Sequence, residues 1–179
     1  MPEIEIRPAG PLDIPALIAL DHSYASDTVW QMEIQAEEKT VEVRFTEKRL
    51  PRSVRVEYPR PAAALADNWS QRDGLLVAVM QEETVGYISL DLSIAPVTAW
   101  VTDLAVLRRL RRQGIGRALV LAGQEWGEAH DCRRLALEMQ PKNYPAIQMA
   151  RKLSFDLCGY NDRYYANHDI ALFFARPLR

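Results

Sequence analysis

Two sets of residues in this chain have the types and spacing to do chemistry. The first is a run of cations and glycines, "LRRLRRQGIGRALV" at 107–120, with five arginines and with Gly114 and Gly116 among them. Arginine's planar fork suits phosphates and carboxylates, and a glycine lacks the Cβ that keeps an anion away from backbone amides. The second is a pair of acids, Asp91 and Asp103, within otherwise apolar strand segments, where a carboxylate needs a reason to be present. The chemistries on offer are therefore anion binding and proton transfer.

The elements around the run decide what it is for. "VTAWVTDLAVL" (97–107) reads as a strand, and from Ile115 to about His130 apolar residues recur at 115, 118, 119, 122 and 126, a helical spacing. The glycines thus fall between strand and helix, where first-turn amides lack partners and the helix dipole is positive. A dinucleotide fingerprint would need a third glycine where Leu119 stands, and a phosphate loop would end in GK[ST]. What remains is strand, basic loop and helix: Arg111-Arg112-Gln113-Gly114-Ile115-Gly116, with Arg117 and Ala118 entering the first turn.

The rest of the chain supplies a framework. "EIEIR" (3–7) is a first strand, and Asp13 can cap a short helix over 14–23. Residues 30–58 alternate with period two, which predicts three strands or long hairpin arms, and 60–74 reads as a loop with one helical turn. Strands follow at 75–80 and 84–94; in the latter Ile88, Leu90, Leu92 and Ile94 share one face, and Tyr87, Ser89, Asp91 and Ser93 the other. "RRLALEMQ" (133–140) is a strand, 144–155 a helix, and 155–178 a closing hairpin. With no linker in sight, the expectation is one domain over 1–179.

Bulk properties exclude several classes. With 22 basic and 24 acidic side chains the formal charge is −2, so no whole-molecule attraction to nucleic acid is expected. Cys132 and Cys158 stand far apart without metal-ligand spacing, so both are expected to be buried, reduced thiols of a cytoplasmic protein. No membrane span or leader is read from the hydropathy, and no metal site is expected.

The basic loop, the "DLAV" before it (103–106) and "LALEMQPKNYPAIQMARKLSF" (135–155) together resemble the GNAT superfamily of N-acetyltransferases. That resemblance implies an α/β (α+β) fold: a mixed, mostly antiparallel central sheet with splayed middle strands, flanked by helices. An acyl-CoA-binding core would cover about 75–179, and a variable acceptor-binding part about 1–74. Acetyl-CoA is the implied co-substrate, its pantetheine arm lying along Leu104, Ala105 and Val106, with an amide of Val106 or Leu104 polarising the thioester carbonyl. Its diphosphate would take amides from Gln113 to Ala118, with Arg111, Arg112 and Arg117 around the mouth. Asn143 and Ala146 match the family's next helix.

Direct attack by an amine needs a base and an acid. The resemblance points to Glu138 as the base, with Asp103 and Asp91 as the other candidates. The family's thiolate-protonating tyrosine is replaced by Ala150; Tyr164 is the first choice of substitute. Asp27, Trp30, Asp91 and Tyr165 are candidates to meet the acceptor. "LDHSYASDTVW" (20–30) further resembles streptothricin-type antibiotic acetyltransferases. The acceptor expected first is therefore a small polyamine-like or antibiotic amine; a peptide N-terminus or protein lysine comes second, and an acyl-CoA sensor without turnover third. A homodimer is left open.

Overall fold

The computed structural model describes residues 3–179. Its main sheet has seven strands: β1 (Glu5–Pro8), β4 (Gly74–Met80), β5 (Glu83–Asp91), β6 (Thr98–Val106), β7 (Arg134–Met139), β9 (Ala171–Pro177) and β8 (Asp156–Asn161), in the spatial order 1-4-5-6-7-9-8. Pairing is antiparallel except between β6 and β7. Parallel neighbours need a crossover, here helix α3 (Ile115–Ala129). The sheet is the mixed, mostly antiparallel one the sequence led us to expect.

Each face of the sheet carries its own apolar layer. Ile115, Leu119 and Val120 of α3 pack with Ile88, Leu90 and Leu135, and α4 (Tyr144–Lys152) adds Ile147 and Ala150 to the same cluster. On the other face, α1 (Ile14–Ala19) and the short α2 (Leu65–Asn68) bring Leu17 and Leu65 onto Val77, Tyr87 and Ala105. Burying each of the leucines, isoleucines and valines among them contributes about 1.5–3 kcal/mol. The alternation of β6 thus divides its residues between two different cores.

The β6–β7 ladder is short. It runs from Thr98 opposite Arg134 to Val101 opposite Leu137, then stops, although both strands continue. Beyond Val101 the neighbours diverge and leave a slot.

Several elements differ from the sequence expectation. Residues 24–56 form one long hairpin, β2 (Tyr24–Glu37) and β3 (Thr40–Val56), rather than three strands. Its register jumps between Ser26 opposite Val54 and Thr28 opposite Arg49, and the bulged-out residues include Pro51, which has no N–H for a ladder. β5 ends at Asp91, so the expected face with Leu92 and Ile94 is cut short. The Asp91 carboxylate accepts from both the N–H and Oγ of Ser93 at 2.7 Å, turning the chain out of the strand. Asp13 makes no side-chain cap; Arg7, Gly10 N–H and Thr84 Oγ1 donate to it instead. Cys132 is buried as expected, but Cys158 is exposed, because β8 is the outermost strand.

Candidate active site

The slot beside β6 leads into a cleft of about 500 Å³, lined by Leu104, Ala105, Val106, the loop before α3, the start of α4, and His22, Tyr24 and Tyr58. Leu107 N–H donates to Val85 on β5 at 2.7 Å. By the alternation of an antiparallel strand, the backbone groups of Leu104 and Val106 therefore face away from β5, into the slot. Arg111 Nε reaches the Val106 carbonyl from that side at 2.9 Å.

At the cleft mouth Gly114 takes φ +94°, and a Cβ added there would meet nothing within 4 Å. The left-handed turn is what a side chain would resist. Ala118 N–H donates to Gly114 O at 2.9 Å, so Ala118 is already inside the helical ladder. The first-turn amides of Ile115, Gly116 and Arg117 have no partner within the helix. Gln113 turns its side chain back to Arg109 O at 3.3 Å. Arg112 and Arg117 line the mouth and are exposed. Arg111 lines it too, but its other two nitrogens are bound to the carbonyls of Ser23, at 2.6 Å, and Asp21. It braces the 21–23 segment against β6 instead of presenting a free cation. Asn143 Oδ1 accepts from Ala146 N–H at 3.2 Å, capping α4 with Pro145 in the first turn. A chain of amides with a diphosphate end fits this cleft: an unpaired strand edge along it and unpaired amides with two exposed arginines at its mouth.

A second cleft, about 610 Å³, lies toward β5 and the 58–73 segment. Asp73, Asp91 and Asp103 all line it. Asp103 is buried; Tyr58 OH donates to its Oδ1 at 2.7 Å, and Arg72 Nη1 to its Oδ2 at 2.7 Å. Arg72 Nη1 also reaches Ser89 Oγ at 2.6 Å. The Tyr58 phenol is held well above the usual range by burial, with the Asp103 charge adding to it. His22 lies beside the Tyr58 ring, its Nε2 3.0 Å from Tyr87 OH and its Nδ1 2.8 Å from Leu20 O. Burial holds that imidazole below its ordinary value.

Glu138 lines neither cleft. Its side chain is fully enclosed, paired to Arg60, and it accepts from Trp100 Nε1 at 2.6 Å and Tyr164 OH at 2.9 Å. Burial raises its carboxyl against the lowering effect of Arg60. Tyr164, pushed up to about 12 mainly by burial, is thus committed to Glu138. Arg60 also donates to Thr102 O at 2.9 Å and lies over the Tyr165 ring. Asp103 and Glu138 are therefore each neutralised by an arginine from the same segment.

The structure brings together Asp91 and Asp103 at one cleft, and separates the other acceptor candidates from it. Asp27 is exposed at the hairpin bulge and accepts from Thr28 Oγ1. Trp30 packs between Phe45 and Phe174, and Tyr165 is buried under Arg60. Sequence reasoning missed Tyr58, Arg60, Arg72 and His22. No spacing ties them to the acids, which are 31 to 78 positions away for the three ion pairs and hydrogen bonds involved. Ala150 is wholly buried in the α4 core, so the position does not face the cleft.

Comparison with known proteins agrees with this geometry. Residues 38–155 match the model of the acetyltransferase (GNAT) family. An N-alpha-acetyltransferase of Sulfurisphaera tokodaii is 34% identical over 113 residues, covering 57% of this chain and 68% of the relative. The streptothricin acetyltransferase of Streptomyces lavendulae is 24% identical over 168 residues, covering 90% and 86%. The crystal structure of nourseothricin acetyltransferase superposes with a TM-score of 0.81 at 25% identity, covering 98% of this chain and 99% of the other. On the family match, the splayed sheet and the basic loop between β6 and α3, the chain belongs to the GNAT family and is an N-acetyltransferase.

Proposed function

We propose that this enzyme transfers the acetyl group of acetyl-CoA to a primary amine of a small cationic molecule, polyamine-like or antibiotic-like, by direct attack in a ternary complex. The observation that carries the proposal is the pairing of two clefts. One offers a free strand edge and helix-start amides; the other adjoins it and is lined under the 58–73 segment by Asp73, Asp91 and Asp103 together with Arg60 and Arg72, so that its lining keeps a net negative charge. Acids in a walled cleft favour a compact cation over an extended peptide. Two relatives at 24–25% identity that span nearly the whole chain act, by their names, on streptothricin and nourseothricin, which supports the same choice.

Within this reading, the slot takes the pantetheine arm along Leu104–Val106, and the amides of Ile115 to Arg117 take the diphosphate. The amide of Leu104 or Val106 stabilises the oxyanion. Asp103 is the base, because it reaches the acceptor cleft whereas Glu138 is sealed by Arg60. Glu138 and Tyr164 then brace the wall and position Arg60. A second reading, acetylation of a peptide N-terminus, is favoured by the 34% identity to an N-alpha-acetyltransferase.

Acetyl-CoA mixed with a panel of polyamines, streptothricin-class antibiotics and N-terminal peptides, followed by free-thiol release, separates the two. Turnover with the small amines and none with the peptides is the expected outcome. Turnover confined to peptides would replace the first reading by the second.

A further inference from the structure

Acetyl transfer from a thioester requires a proton for the departing sulfur, and the position from which this family supplies it holds Ala150, buried in the α4 core. Another group must face the leaving sulfur. Three hydroxyl- or imidazole-bearing side chains line the strand-edge cleft: His22, Tyr24 and Tyr58. Tyr24 OH donates to the buried Gln140 at 2.6 Å, and His22 is spanned between Leu20 O and Tyr87 OH. Neither reaches the second cleft. Tyr58 is the one residue, among those described, that lines both.

We infer that Tyr58 protonates the departing thiolate, and that Tyr58 and Asp103 together carry a proton from the acceptor cleft to the thioester cleft. The inference rests on the acetyl-CoA reading above. Tyr58 OH already donates to Asp103 Oδ1 at 2.7 Å, so the two oxygens are in proton-transfer distance. The step balances within the pair. The amine nitrogen bonds to the thioester carbonyl carbon and becomes positive; Asp103 takes its proton. The carbon–sulfur bond breaks, and the electron pair on sulfur takes the phenolic proton of Tyr58. The proton held by Asp103 then passes to the Tyr58 oxygen, which restores both groups. The amine enters this step neutral, its ammonium proton having already left to water.

The surroundings suit this. Arg72 holds the second Asp103 oxygen at 2.7 Å, which fixes the carboxylate while leaving Oδ1 to Tyr58. Tyr58 OH lies 3.4 Å from Thr102 O, a weak alternative acceptor. Arg60, Tyr87 and His22 are the other polar groups around the phenol. A tyrosine tied only to solvent would need no such partner.

The test uses the whole protein and two readouts. With CoA itself bound, the ionisation of its thiol is followed by thiolate absorbance in the wild type and in Tyr58→Phe. A phenol that donates to sulfur stabilises the thiolate, so its removal should raise the bound thiol's pKa by about one unit, a tenfold change in the ionisation constant. With acetyl-CoA and an amine the wild type turns over, Tyr58→Phe should lose about 100-fold or more in kcat, with acetyl-CoA affinity by calorimetry within twofold. Asp103→Asn should lose kcat similarly but leave the thiol pKa close to that of the wild type. An unmoved thiol in Tyr58→Phe, or an undiminished kcat in that variant, would overturn the relay. Failure of the wild type to bind CoA would instead remove the co-substrate reading, and the relay with it.

Discussion

The two clefts are built from different materials. The strand-edge cleft is made chiefly of main chain: the unpaired edge of β6 past Val101, a glycine at φ +94°, and the opening amides of α3. The second cleft is made of side chains delivered from far apart, with Asp103 from a central strand and Tyr58, Arg60 and Arg72 from one connecting segment, Arg60 in turn pairing with the enclosed Glu138 behind it. A main-chain site tolerates most side-chain changes and fails when something is placed in its path. A side-chain site depends on its ion pairs, each of which leaves a buried charge behind when broken. Mutations should therefore affect folding in one region and binding in the other.

The largest effect is expected at Arg60. Arg60→Met leaves the enclosed Glu138 carboxylate without its counter-ion, which should cost about 3–5 kcal/mol in a urea melt. Adding Glu138→Gln to the same protein should recover part of that loss. A single variant as stable as the wild type would erase the contrast between the clefts.

Gly116→Asp should reverse the pattern. A Cβ there meets Met149 Sδ at 3.5 Å and Val106 Cγ2 at 3.9 Å, both ordinary contacts, and an acid in the first turn suits the helix dipole, so the fold should be retained or slightly stabilised. Its carboxylate would face the diphosphate. Acetyl-CoA affinity should fall by about 100-fold in calorimetry, about 2.8 kcal/mol. Unchanged affinity would remove the diphosphate from the start of α3.

The smallest effect concerns the latch that ties α1 to the sheet beneath the acceptor side. Arg7 first, then the Gly10 amide and Thr84, hold the Asp13 carboxyl down at about 2 against the cost of burial. A depressed folded pKa gives stability that is present above the unfolded value near 4 and is lost as pH falls through 2. Asp13→Asn should thus cost about 1–2 kcal/mol from pH 8 to pH 5, and most of the gap to the wild type should be gone by pH 2. A gap that persisted at pH 2 would assign the effect to packing instead.

The contrast also explains what could be read from the sequence. Glycines, periodicity and element order report on the main chain, so the strand–loop–helix unit at 97–129 was legible, and the splayed sheet followed only through the family resemblance that this unit carries. The loss of the usual tyrosine at Ala150 was legible too. Partnerships between side chains were not: Arg60 and Glu138 are joined only by the fold, and Arg111 looked like a free cation until its three bonds to carbonyls were visible. Glu138 stood in the position the resemblance indicated, yet its enclosure depends on Arg60, Trp100 and Tyr164 arriving from three other elements. Asp27 and Trp30 are acceptor candidates by residue type alone, and the hairpin carries them away from both clefts.

The short β6–β7 ladder has a consequence for cooperativity. Strands β1, β4, β5 and β6 on one side, and β7, β9 and β8 on the other, are joined across the sheet by the register from Thr98 to Val101 alone. A ligand whose amides pair with the open part of β6 would work as a missing strand, suturing two half-sheets whose amide protons along Leu104 and Val106 otherwise exchange with solvent. The enzyme would then be most completely folded while it is loaded, and each release of product would return part of its sheet to water.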